Sequence, residues 1–348
     1  MRLFVLSPMM LIHLVLVACI VREPHTTPTT ERTSKQEPKT ADAQNSERKS
    51  AIPGSQAAAC LYITNGLVAN AAKFPAVVPV ESDLGHCTGT FIGPNSVLTA
   101  AHCLADAQTN GGPALANLEI LIGGFNGERI PVKAVYFPKW AGANQPYDND
   151  LAVLVLEGSV APAIMPVATA RPKAGDAFTL AGYGRLLAND SSINLNPNHL
   201  LYYGQNKIVA ADDELLYFLG ESGTDIQSAP GQFSGTGHGD SGGPMMIGQA
   251  VAGVTNLITN LSIEYLDESI HAKMATIPTG DSLQQDIAAV FAKNLNSPQL
   301  RADIQSGRNI AGFINLNLTA PKYQSWLKSL IRHGVDIRFD TPTQTSCQ

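Results

Sequence analysis

Short apolar runs separated by turn residues make up most of the chain after residue 60. Ser96–Ala100 and Leu151–Leu156 are two examples, and each follows a cluster of Gly, Pro, Asn or Asp. Similar runs predict strands at Ala76–Val80, Glu119–Ile122 and Ala250–Leu257. Apolar runs of about four to eight residues between turn residues are typical of strands, whereas helices need about ten residues or more. The pattern therefore favours an all-β fold.

One later segment follows a helical pattern instead. Asp281-Ser-Leu-Gln-Gln285 provides capping residues, and Ile287, Val290 and Phe291 follow at the spacing of one helical face. This segment predicts a capped amphipathic helix.

The first 58 residues carry an export signal and a linker. Leu3–Ala18 is apolar and follows one positive charge at Arg2, which is the pattern of a secretory signal. An uncleaved membrane anchor is the alternative, but Pro8 and His13 suit a spanning helix poorly. Residues 19–58 are rich in Thr, Ser, Glu, Lys and Pro and hold no Phe, Tyr or Trp, so they predict a disordered tether. We therefore divide the chain into a signal peptide at 1–18, a tether at 19–58 and one folded domain at 59–348.

Composition narrows the classes of function. The chain has 348 residues, of which 44% are hydrophobic, and a formal net charge of −6. This length supplies a core large enough to fold without metal ions, and the acidic balance argues against nucleic-acid binding. The chain lacks His-Glu-x-x-His, Cys-x-x-Cys and phosphate-loop motifs, so we expect no metal and no cofactor. Five cysteines form an odd number, which leaves one to be explained in an exported protein.

Three motifs supply a histidine, a carboxylate and a serine. They are Thr99-Ala-Ala-His102-Cys103, Asn149-Asp150-Leu-Ala152 and Gly239-Asp240-Ser241-Gly-Gly-Pro244. A serine hydroxyl is a weak nucleophile, so an imidazole must accept its proton and a carboxylate must orient that imidazole. The motifs therefore predict nucleophilic catalysis by Ser241, with His102 as the base and either Asp148 or Asp150 as the orienting group.

These motifs resemble those of the trypsin and chymotrypsin family of serine endopeptidases, in the same chain order. The match at Asn149-Asp150-Leu-Ala152 implies that Asp150 rather than Asp148 is the orienting carboxylate. The resemblance runs from Ile63 to about His333 and includes Phe74-Pro75 and the closing Tyr323-Gln-Ser-Trp326-Leu. It implies an all-β fold of two six-stranded antiparallel β-barrels with a C-terminal helix. It also implies hydrolysis of a protein or peptide substrate, and we expect a monomer.

The same resemblance assigns further site residues. It implies an oxyanion hole formed by the backbone N–H groups of Gly239 and Ser241. Gly235 stands where an acidic residue would select Lys or Arg, so tryptic specificity is not expected, and Ile258 favours small apolar side chains. An insertion at about 259–308 follows the pocket wall and is either a lid or exosite or a plain surface loop. The substrate-pocket residues are Gly235, Thr236, Asn256, Leu257, Ile258 and Gly312.

Activation and two disulfides also follow from the resemblance. Ile63-Thr-Asn-Gly66 resembles the family's mature N-terminus. Cleavage between Tyr62 and Ile63 would free an ammonium group that pairs with Asp240, so the uncut chain would be a zymogen. The family pattern pairs Cys87 with Cys103. A disulfide between Cys60 and Cys347 is then the hypothesis for the second pair.

The end of the signal, Leu16-Val-Ala-Cys19, resembles a bacterial lipoprotein signal. This resemblance implies a lipid on Cys19, which would account for the odd cysteine and make a lipid membrane a partner of the chain. Ile20 resembles the pattern that sends lipoproteins to the outer membrane. We therefore expect an exported protein, either anchored in a bacterial membrane, with the outer membrane favoured, or secreted.

Of three alternatives to a peptidase, the first is rejected and the other two stay open. Gly239-Asp-Ser241-Gly-Gly243 also fits the nucleophile motif of α/β-hydrolases, but that fold needs its acid and histidine after the serine. It would leave His102 and Asp150 unused. A catalytically silent binding or regulatory protein is the second alternative, because a fold does not prove activity. An esterase with the same triad is the third.

Overall fold

Sixteen strands and one α-helix form within the residues that the computed structural model describes. Those residues are 63–104, 117–138, 149–184, 200–221, 226–259, 261–266, 269–274 and 310–341, with the backbone alone described at 257–259, 261–266 and 269–274. Several expectations lie outside the described residues: the signal peptide, the tether with Cys19, the residues Cys60, Tyr62 and Cys347, and the helix at 281–291.

The strands match the short apolar runs of the sequence. All five strands predicted from those runs are present, with ends within two residues of the prediction. The elements in chain order are β1 Leu67–Ala69, β2 Val77–Ser82, β3 Gly85–Gly93, β4 Ser96–Thr99, β5 Glu119–Ile122, β6 Glu128–Tyr136, β7 Ala152–Leu156, β8 Ala177–Gly182, β9 Leu201–Lys207, β10 Ala210–Ala211, β11 Leu215–Glu221, β12 Pro244–Ile247, β13 Ala250–Thr259, β14 Leu261–Leu266, β15 Ser269–Met274, β16 Ile310–Asn317 and the helix α1 Pro321–Arg332.

Strands β2 to β7 close into a six-stranded antiparallel barrel. Its neighbours follow the order β2-β3-β4-β7-β6-β5, and β5 pairs back to β2. Thr99 at the end of β4 lies opposite Ala152 at the start of β7. The residues just beyond these two strand ends therefore emerge at the same end of the barrel. These residues include His102 and Asp150.

The second sheet has eight strands, where the family resemblance implied six. Its order is β1-β9-β8-β12-β13-β16-β11-β10, so the short strands β1 and β10 account for the two extra members at its edges. Among the described residues only the first sheet closes through strand pairing. In the second sheet a side chain links β9 to β11, because Nδ2 of Asn206 donates to the carbonyl oxygen of Leu219 at 2.7 Å. The all-β class and its two antiparallel sheets are confirmed.

Helix α1 follows the last strand, as the closing motif predicted. Pro321 is its first residue, a position where the missing N–H of proline costs no helical hydrogen bond. Tyr323, Leu327 and Leu330 are buried in the same apolar cluster as the barrel strands. No helix within the described ranges has the length and apolarity that a membrane span requires.

A C-terminal tail, Val335–Asp340, returns from α1 to the first barrel. The N–H of Arg338 donates to the carbonyl oxygen of Ile92 on β3 at 2.7 Å. The carbonyl oxygen of Arg338 accepts from the N–H of Val167, in the connection between the two sheets, at 2.8 Å. Asp340 accepts from the N–H of Thr169 in the same connection at 2.7 Å. The tail thus links the first barrel to the inter-sheet connection.

The first part of the predicted insertion forms a two-stranded hairpin. Strand β14 pairs with β15 from Leu261 opposite Met274 to Leu266 opposite Ser269. The sequence analysis did not predict these strands. The hairpin follows β13, the strand to which the predicted pocket wall belongs.

Candidate active site

His102 and Asp150 meet at one end of the first barrel. Nδ1 of His102 lies 2.6 Å from Oδ2 of Asp150, and the backbone N–H of His102 donates to Oδ1 of Asp150 at 2.8 Å. The Asp150 side chain is 1% exposed and that of His102 is 39% exposed. The carboxylate therefore fixes the orientation of the imidazole ring through Nδ1. Nε2 is the nitrogen left for proton transfer.

The pKa of His102 lies above its ordinary value of 6.5. Burial lowers this pKa, but the negative charge of Asp150 and its hydrogen bond raise it, and the net change is upward. An imidazole with a raised pKa is a stronger base for a serine hydroxyl.

The loop that carries Ser241 is held between β3 and β13. The N–H of Thr88 donates to the carbonyl oxygen of Ser241 at 2.9 Å. On the other flank, Gly242 donates to the carbonyl oxygen of Thr255 at 2.8 Å, and Thr255 donates to that of Gly243 at 2.9 Å. Within the described residues no hydrogen bond joins His102 Nε2 to Ser241 Oγ. Catalytic hydrogen bonds of this kind often shorten only when substrate binds.

A disulfide joins Cys87 to Cys103, the pair that the family resemblance implied. It connects the residue before Thr88 to the residue after His102, so it holds together the two chain segments that flank the site. The ligand atoms of Cys87, His102 and Cys103 lie within 4.8 Å of one another. Because both sulfur atoms are in the disulfide, they offer no thiolate to a metal ion.

Gly239 adopts a backbone conformation that suits glycine alone. Its φ is +93°, and a Cβ there would lie 2.9 Å from both the Cα of Gly184 and Nε2 of His86. Its carbonyl oxygen accepts a hydrogen bond from Oγ1 of Thr88 at 2.8 Å. Considering partners among the described residues, the N–H groups of Gly239 and Ser241 donate to none. These are the two donors that the resemblance assigns to the oxyanion hole.

Asp240 is a buried carboxyl group held by backbone N–H groups. Gly184 donates to its Oδ1 and Gly237 to its Oδ2, each at 2.8 Å. Burial raises the pKa of Asp240 to about 7, although these two hydrogen bonds oppose the rise. Both donors are neutral. The structure gives this carboxyl group no cation among the described residues.

The predicted mature N-terminus, Ile63–Gly66, lies buried against the second sheet. We call it the docking segment. Ile63 packs in a cluster with Phe218 and Phe313. Asn65 is fully buried, and its Nδ2 donates to the carbonyl oxygens of Ala229 and Gln232.

The predicted pocket residues lie on adjacent segments. Gly235 and Thr236 are buried in the loop before Ser241, and Asn256 is buried on β13. A Cβ on Gly235 would lie 2.2 Å from Cζ of Phe313, so the Phe313 ring occupies the space of a side chain at this position. Phe313 itself lies opposite Ile258 in the sheet, while Leu257 pairs with Ile314 and Thr259 with Gly312.

Two residues at the site carried no prediction from the sequence. Thr88 supports the Gly239 carbonyl with its hydroxyl and the Ser241 carbonyl with its N–H. Asn65 contacts the loop that leads to Gly235. Asn65 lies inside the Ile63–Gly66 motif and Thr88 follows Cys87 in the sequence, but only the fold reveals their hydrogen-bond partners.

A closed six-stranded barrel joined to a second antiparallel sheet, with a histidine–aspartate pair beside a Gly-Asp-Ser-Gly-Gly loop, defines the class of the trypsin-like serine proteases. The family model described as Trypsin matches residues 63–266, which is more than half of the chain. The chain therefore belongs to the trypsin family.

Two sequence relatives agree with this assignment. The chain is 31% identical over 230 residues to serine protease SP24D of Anopheles gambiae, across 62% of this chain and 80% of that protein. It is 29% identical over 203 residues to a trypsin of Saccharopolyspora erythraea, across 56% and 86% respectively. Among solved structures, neuropsin from mouse brain aligns with a TM-score of 0.47 and 14% identity, over 76% of this chain and 98% of that chain.

Proposed function

We propose that the chain is an exported serine endopeptidase with the triad His102, Asp150 and Ser241. The observation that carries this proposal is the 2.6 Å contact between His102 Nδ1 and the buried Asp150 carboxylate. The carbonyl oxygen of Ser241 accepts a hydrogen bond from Thr88 on β3. The disulfide between Cys87 and Cys103 joins this strand to the residue after His102. Similarity to proteins named serine protease and trypsin supports the same reading.

In the proposed reaction Ser241 Oγ attacks the peptide carbonyl carbon while His102 Nε2 accepts the hydroxyl proton. Asp150 keeps Nδ1 protonated and stabilises the charged imidazole. The imidazolium then gives its proton to the leaving amine, and water attacks the acyl-enzyme with His102 again as base. The N–H groups of Gly239 and Ser241 stabilise the oxyanion, where one donor is typically worth about 2.7–4 kcal/mol.

The Phe313 ring below Gly235 supports a preference for short apolar side chains at the cleavage site. The ring fills the space at the base of the pocket that an acidic side chain would need. Gly235→Asp is therefore expected to disturb packing rather than to create trypsin-like specificity. Profiling with a peptide library that varies the residue before the cleaved bond tests this expectation.

Covalent labelling of Ser241 with a fluorophosphonate is the direct test of the proposal. We expect labelling of the wild-type chain and none of Ser241→Ala, together with cleavage of denatured protein at internal peptide bonds. Labelling with ester hydrolysis and no peptide cleavage would favour an esterase. Absence of labelling after cleavage before Ile63 would favour the silent binding protein.

We also propose that cleavage before Ile63 activates the enzyme. The new ammonium group would supply the positive charge that the buried Asp240 carboxyl group lacks among the described residues. N-terminal sequencing of active enzyme should find chains that begin at Ile63. If a Cys60–Cys347 disulfide forms, the upstream fragment should stay attached on non-reducing gels and be released by reductant.

Membrane attachment through Cys19 is the third part of the proposal, and it rests on the signal sequence. Metabolic labelling with a radioactive fatty acid should mark the wild-type chain and not Cys19→Ser. The variant should also move from the membrane fraction to the soluble fraction. A variant that remains in the membrane fraction would favour the uncleaved anchor instead.

A further inference from the structure

Two cysteines and the catalytic histidine form a cluster beside the serine loop. The Sγ atoms of Cys87 and Cys103 and a ring nitrogen of His102 all lie within 4.8 Å of one another. Thiolate and imidazole are ligands that zinc prefers in proteins. Both sulfur atoms are joined in the disulfide, so the oxidised chain offers no thiolate. Reduction of this one bond would supply the two missing ligands.

The spacing of the three groups suits a single zinc ion. Bonds from zinc of about 2.3 Å to sulfur and about 2.0 Å to nitrogen place tetrahedral ligand atoms about 3.5–3.8 Å apart. This separation is within the 4.8 Å that already contains all three atoms. The Cα atoms of Cys87 and Cys103 are 6.1 Å apart, so rotation of the reduced side chains can separate the two sulfur atoms to this spacing.

His102 already has the surroundings of a zinc ligand. Its Nδ1 lies 2.6 Å from Oδ2 of the buried Asp150, which leaves Nε2 for a further partner. Histidines that bind metal ions almost always donate their other ring N–H to a carboxylate, a backbone carbonyl or water, and this contact makes the ligating nitrogen more basic. The contact that prepares Nε2 to accept a proton therefore also prepares it to bind a metal ion.

The cluster is accessible from solvent on one side. The His102 side chain is 39% exposed and Cys87 is partly exposed, whereas Cys103 is buried. A small reductant and a metal ion can therefore reach the disulfide and the imidazole. Reduction leaves intact the hydrogen bond from the N–H of Thr88 to the carbonyl oxygen of Ser241. The serine loop thus keeps a contact with β3 when the disulfide is opened.

We propose that Cys87, Cys103 and His102 form a latent zinc site that opens when the disulfide is reduced, and that zinc bound there switches the peptidase off. A dithiol reductant gives two electrons and two protons to the disulfide and is itself oxidised to a disulfide. The two thiols lose their protons as they bind Zn²⁺, and Nε2 of His102 adds its lone pair. Water completes the four-coordinate site. With Nε2 bound to zinc, His102 cannot accept the proton of Ser241.

The redox state of the compartment would then control the enzyme. Disulfides persist in the oxidising compartments that exported proteins enter, whereas thiols stay reduced in the cytosol. A folded chain that holds zinc would be inactive in a reducing compartment and would become active once the disulfide forms. The effect on catalysis rests on the proposed endopeptidase function, but the metal site does not.

Cobalt(II) is the probe for the site, because thiolate ligands give Co²⁺ a charge-transfer absorption band. The tested chain carries Ser241→Ala, which prevents self-cleavage, and lacks the three cysteines outside the site through Cys19→Ser, Cys60→Ser and Cys347→Ser. After reduction and anaerobic removal of the reductant, we expect the band to saturate at one Co²⁺ per chain and to disappear when Zn²⁺ is added. The oxidised chain should show no band.

Near-ultraviolet circular dichroism on the same samples checks that the reduced chain is folded. A folded reduced chain without the cobalt band would overturn the proposal. Unfolding of the chain on reduction, in the presence of Co²⁺, would overturn it as well, because the site would then not exist in the folded protein.

Histidine variants distinguish a three-ligand site from binding by the cysteines alone. In the reduced chain, His102→Ala and Asp150→Asn should each weaken Co²⁺ binding by about tenfold or more, the usual effect of losing a partner of this kind. His333→Ala is the matched control, because His333 is an exposed histidine at the end of α1, and it should leave the affinity unchanged. Equal affinity in the parent and His102→Ala would overturn the proposed switch, because Nε2 would then be free.

The effect on catalysis is measured by the reaction of a fluorophosphonate with a chain that retains Ser241. We expect the reduced, metal-free chain to react, Zn²⁺ to slow its reaction by about a hundredfold or more, as loss of a general base does, and a chelator to restore it. The oxidised chain should react equally with and without Zn²⁺. Equal inhibition of both forms by Zn²⁺ would contradict the inference. Failure of every form to react would count against the endopeptidase function alone, because the cobalt experiment still decides whether the site exists.

Discussion

The buried carboxyl group of Asp240 should make the uncut chain lose stability as the pH rises. Its pKa in the folded, uncut chain is about 7, against an ordinary value of 3.8. Between these two pH values the folded chain keeps a proton that the unfolded chain has released. Stability therefore falls as the pH rises through this window, and it levels off above pH 7.

The size of this loss follows from the two pKa values. One pKa unit corresponds to 1.36 kcal/mol, so a change from 3.8 to about 7 is worth about 4 kcal/mol. That is a large fraction of the 5–15 kcal/mol typical of a folded domain. Asp240→Asn removes the titrating group, and its amide nitrogen cannot accept one of the two backbone hydrogen bonds that the carboxyl group accepts. That loss is the same at every pH, so the stability of the variant relative to its parent should rise by about 4 kcal/mol between pH 4 and pH 8.

Urea unfolding of the uncut Ser241→Ala chain, with and without Asp240→Asn, measures this difference. Comparing the two chains at pH 4.5, 6, 7 and 8 cancels every other titrating group that they share. Asp213→Asn, a change at an exposed carboxylate, is the control and should shift stability by no more than about 0.5 kcal/mol.

Parallel stability curves for the two chains from pH 4.5 to 8 would refute the reasoning. They would mean that the Asp240 carboxyl group does not hold a proton in the folded chain. After cleavage before Ile63 the same comparison should reverse in sign at pH 8, because an ammonium group beside the carboxylate lowers its pKa.

Three further predictions concern the catalytic machinery. The kcat/KM of the wild-type enzyme should rise with pH through a pKa above 6.5, because His102 must be neutral to act as a base. Asp150→Asn should lower that pKa and reduce kcat on the order of 10⁴-fold, as in the related protease triad, and a pH–rate profile checks both. Thr88→Val should lower kcat about tenfold with KM unchanged, because the Gly239 carbonyl loses its 2.8 Å hydroxyl donor; an unchanged kcat would mean that this hydroxyl does not orient the hole. Cys87→Ala combined with Cys103→Ala should cost about 3 kcal/mol of unfolding free energy, the value for a closed loop of about 15 residues, which urea titration measures.

The strand pattern predicted the fold class because the barrel strands are short, apolar and bounded by turn residues. The side-chain link between β9 and β11 in the second sheet was not predictable in the same way. Asn206 lies in an ordinary strand sequence, and its link to Leu219 depends on how the sheet curves. The β14–β15 hairpin was missed because the helical signal that follows it dominated the interpretation of the insertion.

At the site, sequence motifs identify the residues whose side-chain chemistry the reaction requires, such as a histidine and its partner carboxylate. The structure brings His102 and Asp150 together because β4 and β7 are neighbours in the barrel. Residues that act by hydrogen bonding to backbone atoms have no such sequence motif. In the sequence, nothing separates Thr88 and Asn65 from the other Thr and Asn residues of the chain. Only the positions of their hydrogen-bond partners in the fold distinguish them.

The C-terminal tail has a consequence for the order of synthesis and assembly. Arg338 and Asp340 link β3 of the first barrel to the inter-sheet connection, and they are among the last residues that the structure describes. During translation, β3 is complete almost 250 residues before Arg338 is made. This link therefore cannot form on the ribosome until nearly the whole chain has been synthesised. In an exported chain it would form after most of the protein has crossed the membrane. Docking of the tail against the first barrel would then be delayed until the protein has reached the compartment in which it acts.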